Sequence, residues 1–154
     1  MDGQTWTSNF EGLRFSAYDD KTGEPVPVGG VCLGTLTIGI GHTGPDVVPG
    51  LIWTQAQCQE AFDTDYATAV SGAMDDAGND AWLFLNEERQ AALVDVCFEI
   101  GEKGLRGFHK MISAILLQDW ATASAQLIAS KLASEVPGRD RANAALLLSG
   151  TWPA

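Results

Sequence analysis

The chain has 154 residues, 45% of them hydrophobic, and a formal net charge of −11 from 20 acidic against 9 basic residues. That is enough apolar material for one core, divisible into a small and a larger lobe, and it excludes a disordered or repeat protein. The acidity argues against nucleic acid as a partner.

The opening Met1-Asp2-Gly3-Gln4 has neither a basic nor an apolar run, and no later stretch is apolar enough to span a bilayer, so synthesis in the cytoplasm without a signal peptide or stable membrane insertion is expected. Trp6, Phe10 and Leu13 stand at helical spacing and predict a short helix within residues 3–13. From Arg14 to Thr43 the chain is rich in Gly, Pro and Thr, and alternation around Phe15–Tyr18 and Leu36–Ile38 predicts a small antiparallel sheet. Between these segments, Lys21 to Thr35 carries Gly23, Pro25, Pro27, Gly29, Gly30 and Gly34 and reads as an enlarged hairpin loop.

Beyond residue 53 the pattern is helical. Thr54 with Gln57 forms a capping box, and Ala56, Ala61, Phe62, Tyr66, Ala69 and Val70 share a stripe, predicting a long helix from Thr54 to about Met74. Asn86 caps the next helix, whose Ala91, Ala92, Val94, Val96, Phe98 and Ile100 leave little polar surface and which Gly101 and Gly104 should stop. Further helices are expected from about Lys110 to Leu117, Trp120 to Leu132 and Arg139 to Leu148, the last closed by Gly150. Asp63, Asp65, Asp75, Asp76, Asp80, Glu87 and Glu88 are expected on exposed helix faces, where they serve solubility. The three cysteines agree with a reducing place of synthesis: Cys58 and Cys97 fall in apolar helical patterns and read as core, while Cys32 lies in the loop. The fold class is therefore α+β: a small N-terminal sheet lobe (about 14–53) and a larger helical lobe (about 54–154, with helix 3–13), joined by a long helix.

Glu11 to Thr43 holds the chemistry. Cleaving a glycosidic bond needs one carboxyl that keeps its proton and a second that stays ionised to handle water or the oxocarbenium-like charge. Glu11, at the end of the apolar-patterned first segment, suits the acid role. Asp20, in the polar turn Asp19-Asp20-Lys21-Thr22-Gly23, suits the ionised one. The run Thr37-Ile38-Gly39-Ile40-Gly41 alternates like a strand, and the Thr37 hydroxyl can hold a water near both carboxyls.

Phe10-Glu11-Gly12-Leu13-Arg14, then Ala17-Tyr18-Asp19-Asp20, then Thr37-Ile38-Gly39-Ile40-Gly41-His42-Thr43 resemble the active-site region of phage T4-type lysozymes, the endolysin family of glycoside hydrolases. The likeness continues through Trp53-Thr54-Gln55-Ala56-Gln57, Phe98-Glu99-Ile100-Gly101, Val136-Pro137-Gly138-Arg139 and Gly150-Thr151-Trp152, nearly the whole chain. It implies a lysozyme-like fold with a cleft between the lobes and a Glu, Asp and Thr catalytic triad at Glu11, Asp20 and Thr37. It further implies a muramidase cutting the β-1,4 bond between N-acetylmuramic acid and N-acetylglucosamine in peptidoglycan. A water held between Glu11 and Asp20 implies carboxyls about 6.5–9.5 Å apart and an inverted product. By the same resemblance the protein acts as a monomer on glycan strands of the periplasmic wall, reached by lysis, by delivery on a particle, or through a holin.

Supporting residues follow from the same likeness. His42 steadies the active-site loop; Phe98, Glu99, Gly101 and the Glu135–Val136 region line the cleft. Arg139 matches an Arg that pairs with the catalytic Glu, the alternative being a surface salt bridge. Some family members carry a Cys in place of the Asp, which gives Cys32 an alternative supporting role. Glu99 and Asp95 stand where uncharged residues are usual and, facing the cleft, would add negative charge near Glu11. His109 reads as surface or helix start. Neither histidine has a partner at zinc-like spacing, so no metal and no cofactor is expected. Two other readings stay open: a lytic transglycosylase, or a virion-associated wall-binding module with weak catalysis.

Overall fold

The computed structural model describes residues 1–154, the side chain of Asn79 apart. The alternation in the N-terminal third becomes a three-stranded antiparallel sheet of β1 (Leu13–Asp19), β2 (Leu36–Ile40) and β3 (His42–Thr43) in that order. The remaining elements are helices: α1 (Gly3–Ser8), α2 (Gln55–Leu83), α3 (Glu87–Arg106), α4 (His109–Leu116), α5 (Trp120–Ile128), α6 (Lys131–Glu135) and α7 (Pro137–Ser149). A small antiparallel sheet with a mostly helical remainder is the α+β class the sequence implies. The chain forms two compact units, Ser8–Asp65 and Met1–Thr7 with Tyr66–Ala154.

In the sheet-bearing unit, β1 pairs Leu13 with Ile40, Arg14 with Gly39, Tyr18 with Thr37 and Asp19 with Leu36, with a bulge between Arg14 and Tyr18. Ala17, Ile38 and Val47 form its core, and Leu36, Leu51 and Trp53 pack against them. The first helix is shorter than the spacing of Trp6, Phe10 and Leu13 suggests. It ends at Ser8, and Leu13 is a strand residue 46% exposed, so that apolar triplet does not share one buried face. The Lys21–Thr35 loop is folded around Asp19, whose buried carboxylate accepts the backbone N–H groups of Leu33 (2.6 Å), Lys21 (2.9 Å) and Gly34 (3.1 Å). These donors, Leu33 first, hold its pKa below the ordinary carboxylate value.

The capping box is present: Thr54 N–H donates to Gln57 Oε1 at 2.9 Å and Gln57 N–H to Thr54 Oγ1 at 3.3 Å. The helix it starts runs to Leu83, past the expected end at Met74, with a break at Gly78 (φ 74°). Asn86 caps α3 through Arg89 N–H as expected. Gly101 (φ 73°) interrupts that helix without ending it; helical backbone resumes and continues to Arg106. The expected helix from Trp120 to Leu132 is two helices, because Ser130 turns extended (ψ 159°) and accepts Ala133 N–H at the start of α6. Gly150 closes α7 in the left-handed conformation (φ 63°).

The core of the helical unit is built from Leu93, Val96, Leu105, Met111, Ile115, Leu127 and Leu147, all fully buried. Arg89 ties α3 to α7: its Nε donates to Leu147 O at 2.8 Å and its guanidinium lies 4.0 Å from the Trp120 ring centroid. Cys58 and Cys97 are buried free thiols, as their patterns implied. Asp76 departs from the expected exposed face: its side chain is 2% exposed and pairs with Arg106 Nε at 2.8 Å. On α4, Met111 and Ile115 are fully buried, whereas Leu116 is 44% exposed.

Candidate active site

Glu11, Asp20, Thr37 and His42 all belong to the unit Ser8–Asp65. After α1 ends, Glu11 N–H donates to Ser8 O at 3.2 Å, which sets the residue in the bend before β1. Its carboxyl lies against the backbone of Gly41, where a Cβ would come within 2.6 Å of Glu11 Oε2. Gly41 also has φ +73°, so this position needs glycine for its conformation and for the room it leaves the carboxyl.

Asp20 and Thr37 are joined through one backbone residue. Asp20 accepts Thr35 N–H at 2.6 Å on Oδ1, while Thr35 O accepts from Asp20 N–H at 3.1 Å and from the Thr37 hydroxyl at 3.1 Å. The long loop is therefore pinched shut at its base, and its length does not separate Asp20 from Thr37. Asp20 is exposed, whereas Thr37 is 5% exposed. Sequence reasoning missed Thr35 and the organising role of Asp19, since their partners lie 14 or 15 residues away. Cys32 sits in this loop with its thiol donating to Gly34 O at 3.4 Å. Burial, then the Asp19 charge, pushes the thiol pKa up, which keeps it protonated and unlike a carboxylate substitute.

His42 is held between two carboxylates. Its Nδ1 lies 2.6 Å from Asp65 Oδ2, its Nε2 3.0 Å from Asp46 Oδ2, and its ring packs 5.2 Å from Trp53. Burial opposes the charge, yet the hydrogen bonds and charges of Asp65 and Asp46 outweigh it and raise the imidazole above its ordinary 6.5. The folded state thus holds the extra proton more tightly than the unfolded chain. The resulting stability is fully present below about pH 6.5 and is lost as pH rises through the raised folded value. His42→Gln should therefore lower the thermal midpoint most at mildly acidic pH and progressively less at alkaline pH. A deficit that stays constant across a pH series of melting curves would refute this.

Phe98, Glu99, Gly101 and Arg139 belong to the helical unit. Phe98 and Glu99 are half-buried just before the break at Gly101. Arg139 is no surface salt bridge: it is 8% exposed and holds fully buried Asp95 through two bonds, Nε–Oδ2 at 2.9 Å and Nη2–Oδ1 at 2.8 Å, with Glu99 at 3.5 Å. Asp95 also accepts Asn143 Nδ2 at 2.6 Å, and Asn143 Oδ1 accepts Trp6 Nε1 at 2.8 Å. The expected cleft-facing charge at Asp95 is thereby corrected. It is spent inside a buried network, because an unpaired carboxylate could not be held there.

Residues 8–140 match the phage lysozyme family. The chain is 33% identical over 68 residues to a SAR-endolysin of bacteriophage PS34, covering 44% of this chain and 34% of that protein. A SAR-endolysin of bacteriophage PS119 is 32% identical over a stretch of the same length. The pre-baseplate central spike protein Gp5 of enterobacteria phage T4 is 28% identical over 136 residues, covering 73% of this chain and 22% of the spike protein. The chain thus spans about a third of the length of the two endolysins and less of the spike protein. Because the family match covers residues 8–140, well more than half of the chain, and takes in the Glu11–Thr43 motif, this chain belongs to the phage lysozyme family.

Proposed function

We propose that the protein is a peptidoglycan-degrading muramidase, hydrolysing the β-1,4 bond between N-acetylmuramic acid and N-acetylglucosamine. Glu11 is the general acid that protonates the leaving oxygen. Asp20 is the base or charge stabiliser, and Thr37 positions the attacking water. The observation that carries the reading is that one small sheet unit holds all three: Glu11 packed on Gly41, with Asp20 and Thr37 tied to the same Thr35 peptide. The division of environments supports the assignment of roles. Glu11, the proposed acid, is half-buried, and Asp20, the proposed base or charge stabiliser, is exposed. Phe98, Glu99 and Gly101 are proposed substrate contacts, with His42 and Arg139 as supports. The wall outside the membrane is the proposed site of action, with access by a separate permeabilising partner. Among the described residues no helix is long and apolar enough to cross a membrane.

The similarity to a spike protein favours a second reading in which this domain works on a phage particle. One assay separates the possibilities: release of reducing ends from purified peptidoglycan by wild type and Glu11→Gln, with mass spectrometry of the fragments. A muramidase gives hydrated muramic ends, and the variant loses roughly 10²- to 10⁴-fold in rate. Anhydro-muramic ends identify a lytic transglycosylase instead, and binding without any product identifies a wall-binding module.

A further inference from the structure

Tyr18 stands opposite Thr37 on the sheet, and the reading above gives it no task. Paired across the β1–β2 ladder, the two side chains share a face of the sheet. The backbone bridge from Tyr18 to Pro25 fixes its other edge, and the Arg14 guanidinium stands 4.9 Å from its ring centroid. The ring is half-buried. Burial, then the negative charge of Glu11, pushes its phenol pKa up; Arg14 opposes this and Asp20 adds to it. Glu11 and Asp20, nine residues apart in sequence, thus both favour the neutral phenol. Such a phenol stays protonated at working pH and keeps one O–H to donate.

We propose that Tyr18 is a positioning residue of this site, its hydroxyl donating a hydrogen bond into the space shared by Glu11, Asp20 and Thr37, where the attacking water or a sugar hydroxyl is held. The inference rests on the muramidase reading and deepens it. Arg14 fixes the ring from one side and Thr37 flanks it on the sheet, so the hydroxyl has a defined direction without being itself an acid or base in the reaction.

The test compares wild type, Tyr18→Phe and a protein carrying a fluorinated tyrosine at position 18, on soluble peptidoglycan fragments. Loss of one hydrogen bond to a charged or reacting group should lower kcat roughly 10- to 100-fold in Tyr18→Phe, with KM and the thermal midpoint little changed. The fluorinated phenol ionises at lower pH, and a phenolate cannot donate. That protein should match wild type at acidic pH and lose activity on the alkaline side, a new limb that a purely packing role for the ring would not produce. Wild-type kcat in Tyr18→Phe, or an unchanged pH profile for the fluorinated protein, overturns the role of Tyr18 while leaving the muramidase reading intact. Absence of any product from wild type overturns both.

Discussion

Asp95→Ala should destabilise the helical unit by about 3–5 kcal/mol, the usual cost of removing one partner from a buried ion pair. The carboxylate is fully buried and accepts three hydrogen bonds, two from Arg139 and one from Asn143. Its removal leaves the Arg139 charge, itself 8% exposed, with Glu99 3.5 Å away in place of a bidentate partner. It also strands the Asn143 amide, whose carbonyl still holds Trp6 on the far side. By contrast Lys131 and Glu135 form a pair 88% and 56% exposed, and deleting that one should cost about 0–1 kcal/mol. Urea unfolding of both variants against wild type makes the comparison. Equal losses from the two would show that the Asp95 network contributes no more than a surface contact.

The elements legible in the sequence were those whose signals are local. Thr54 and Gln57 bond each other three residues apart, Asn86 bonds Arg89, and Gly150 needs only its own left-handed backbone to close α7. The sheet followed from alternation, whereas Glu11, expected on the helix of residues 3–13 that packs with the helical lobe, falls in the unit Ser8–Asp65 together with Asp20 and Thr37. What failed was non-local or outvoted. Trp6, Phe10 and Leu13 fit a helical period, yet the pairing of Leu13 with Ile40 decides its conformation. The segment Trp120 to Leu132 reads as one helix, yet Ser130 turns extended and caps a second one. The partners of Asp95 lie 44 and 48 residues away, so no local signal shows that its charge is paired. A carboxylate inside Val94-Asp95-Val96-Cys97 is itself a sign of a buried pair, since that setting allows no unpaired charge.

Asp140→Asn should have the opposite sign, stabilising the protein at neutral pH. Asp140 follows Arg139 on α7 and is fully buried, and neither carboxyl oxygen has a hydrogen-bond partner among the described residues. Burial raises its pKa from 3.8 to about 6, with Arg139 opposing and Asp95 adding to the shift. Between those two values the folded protein binds more protons at this site than the unfolded chain, so stability falls as pH rises through the interval and stays lower above it. A shift of roughly two units corresponds to about 3 kcal/mol, an upper figure because relaxation around the ionised group reduces it. Asparagine keeps the shape and never ionises, and its unpartnered amide costs about as much as the protonated acid already does. The variant should therefore match wild type near pH 4 and exceed it by roughly 1–3 kcal/mol near pH 7.5 in urea unfolding. A gain of the same size at both values would assign the effect to packing, and a loss near neutral pH would mean that the ionised carboxylate is stabilised by Arg139 more than burial penalises it.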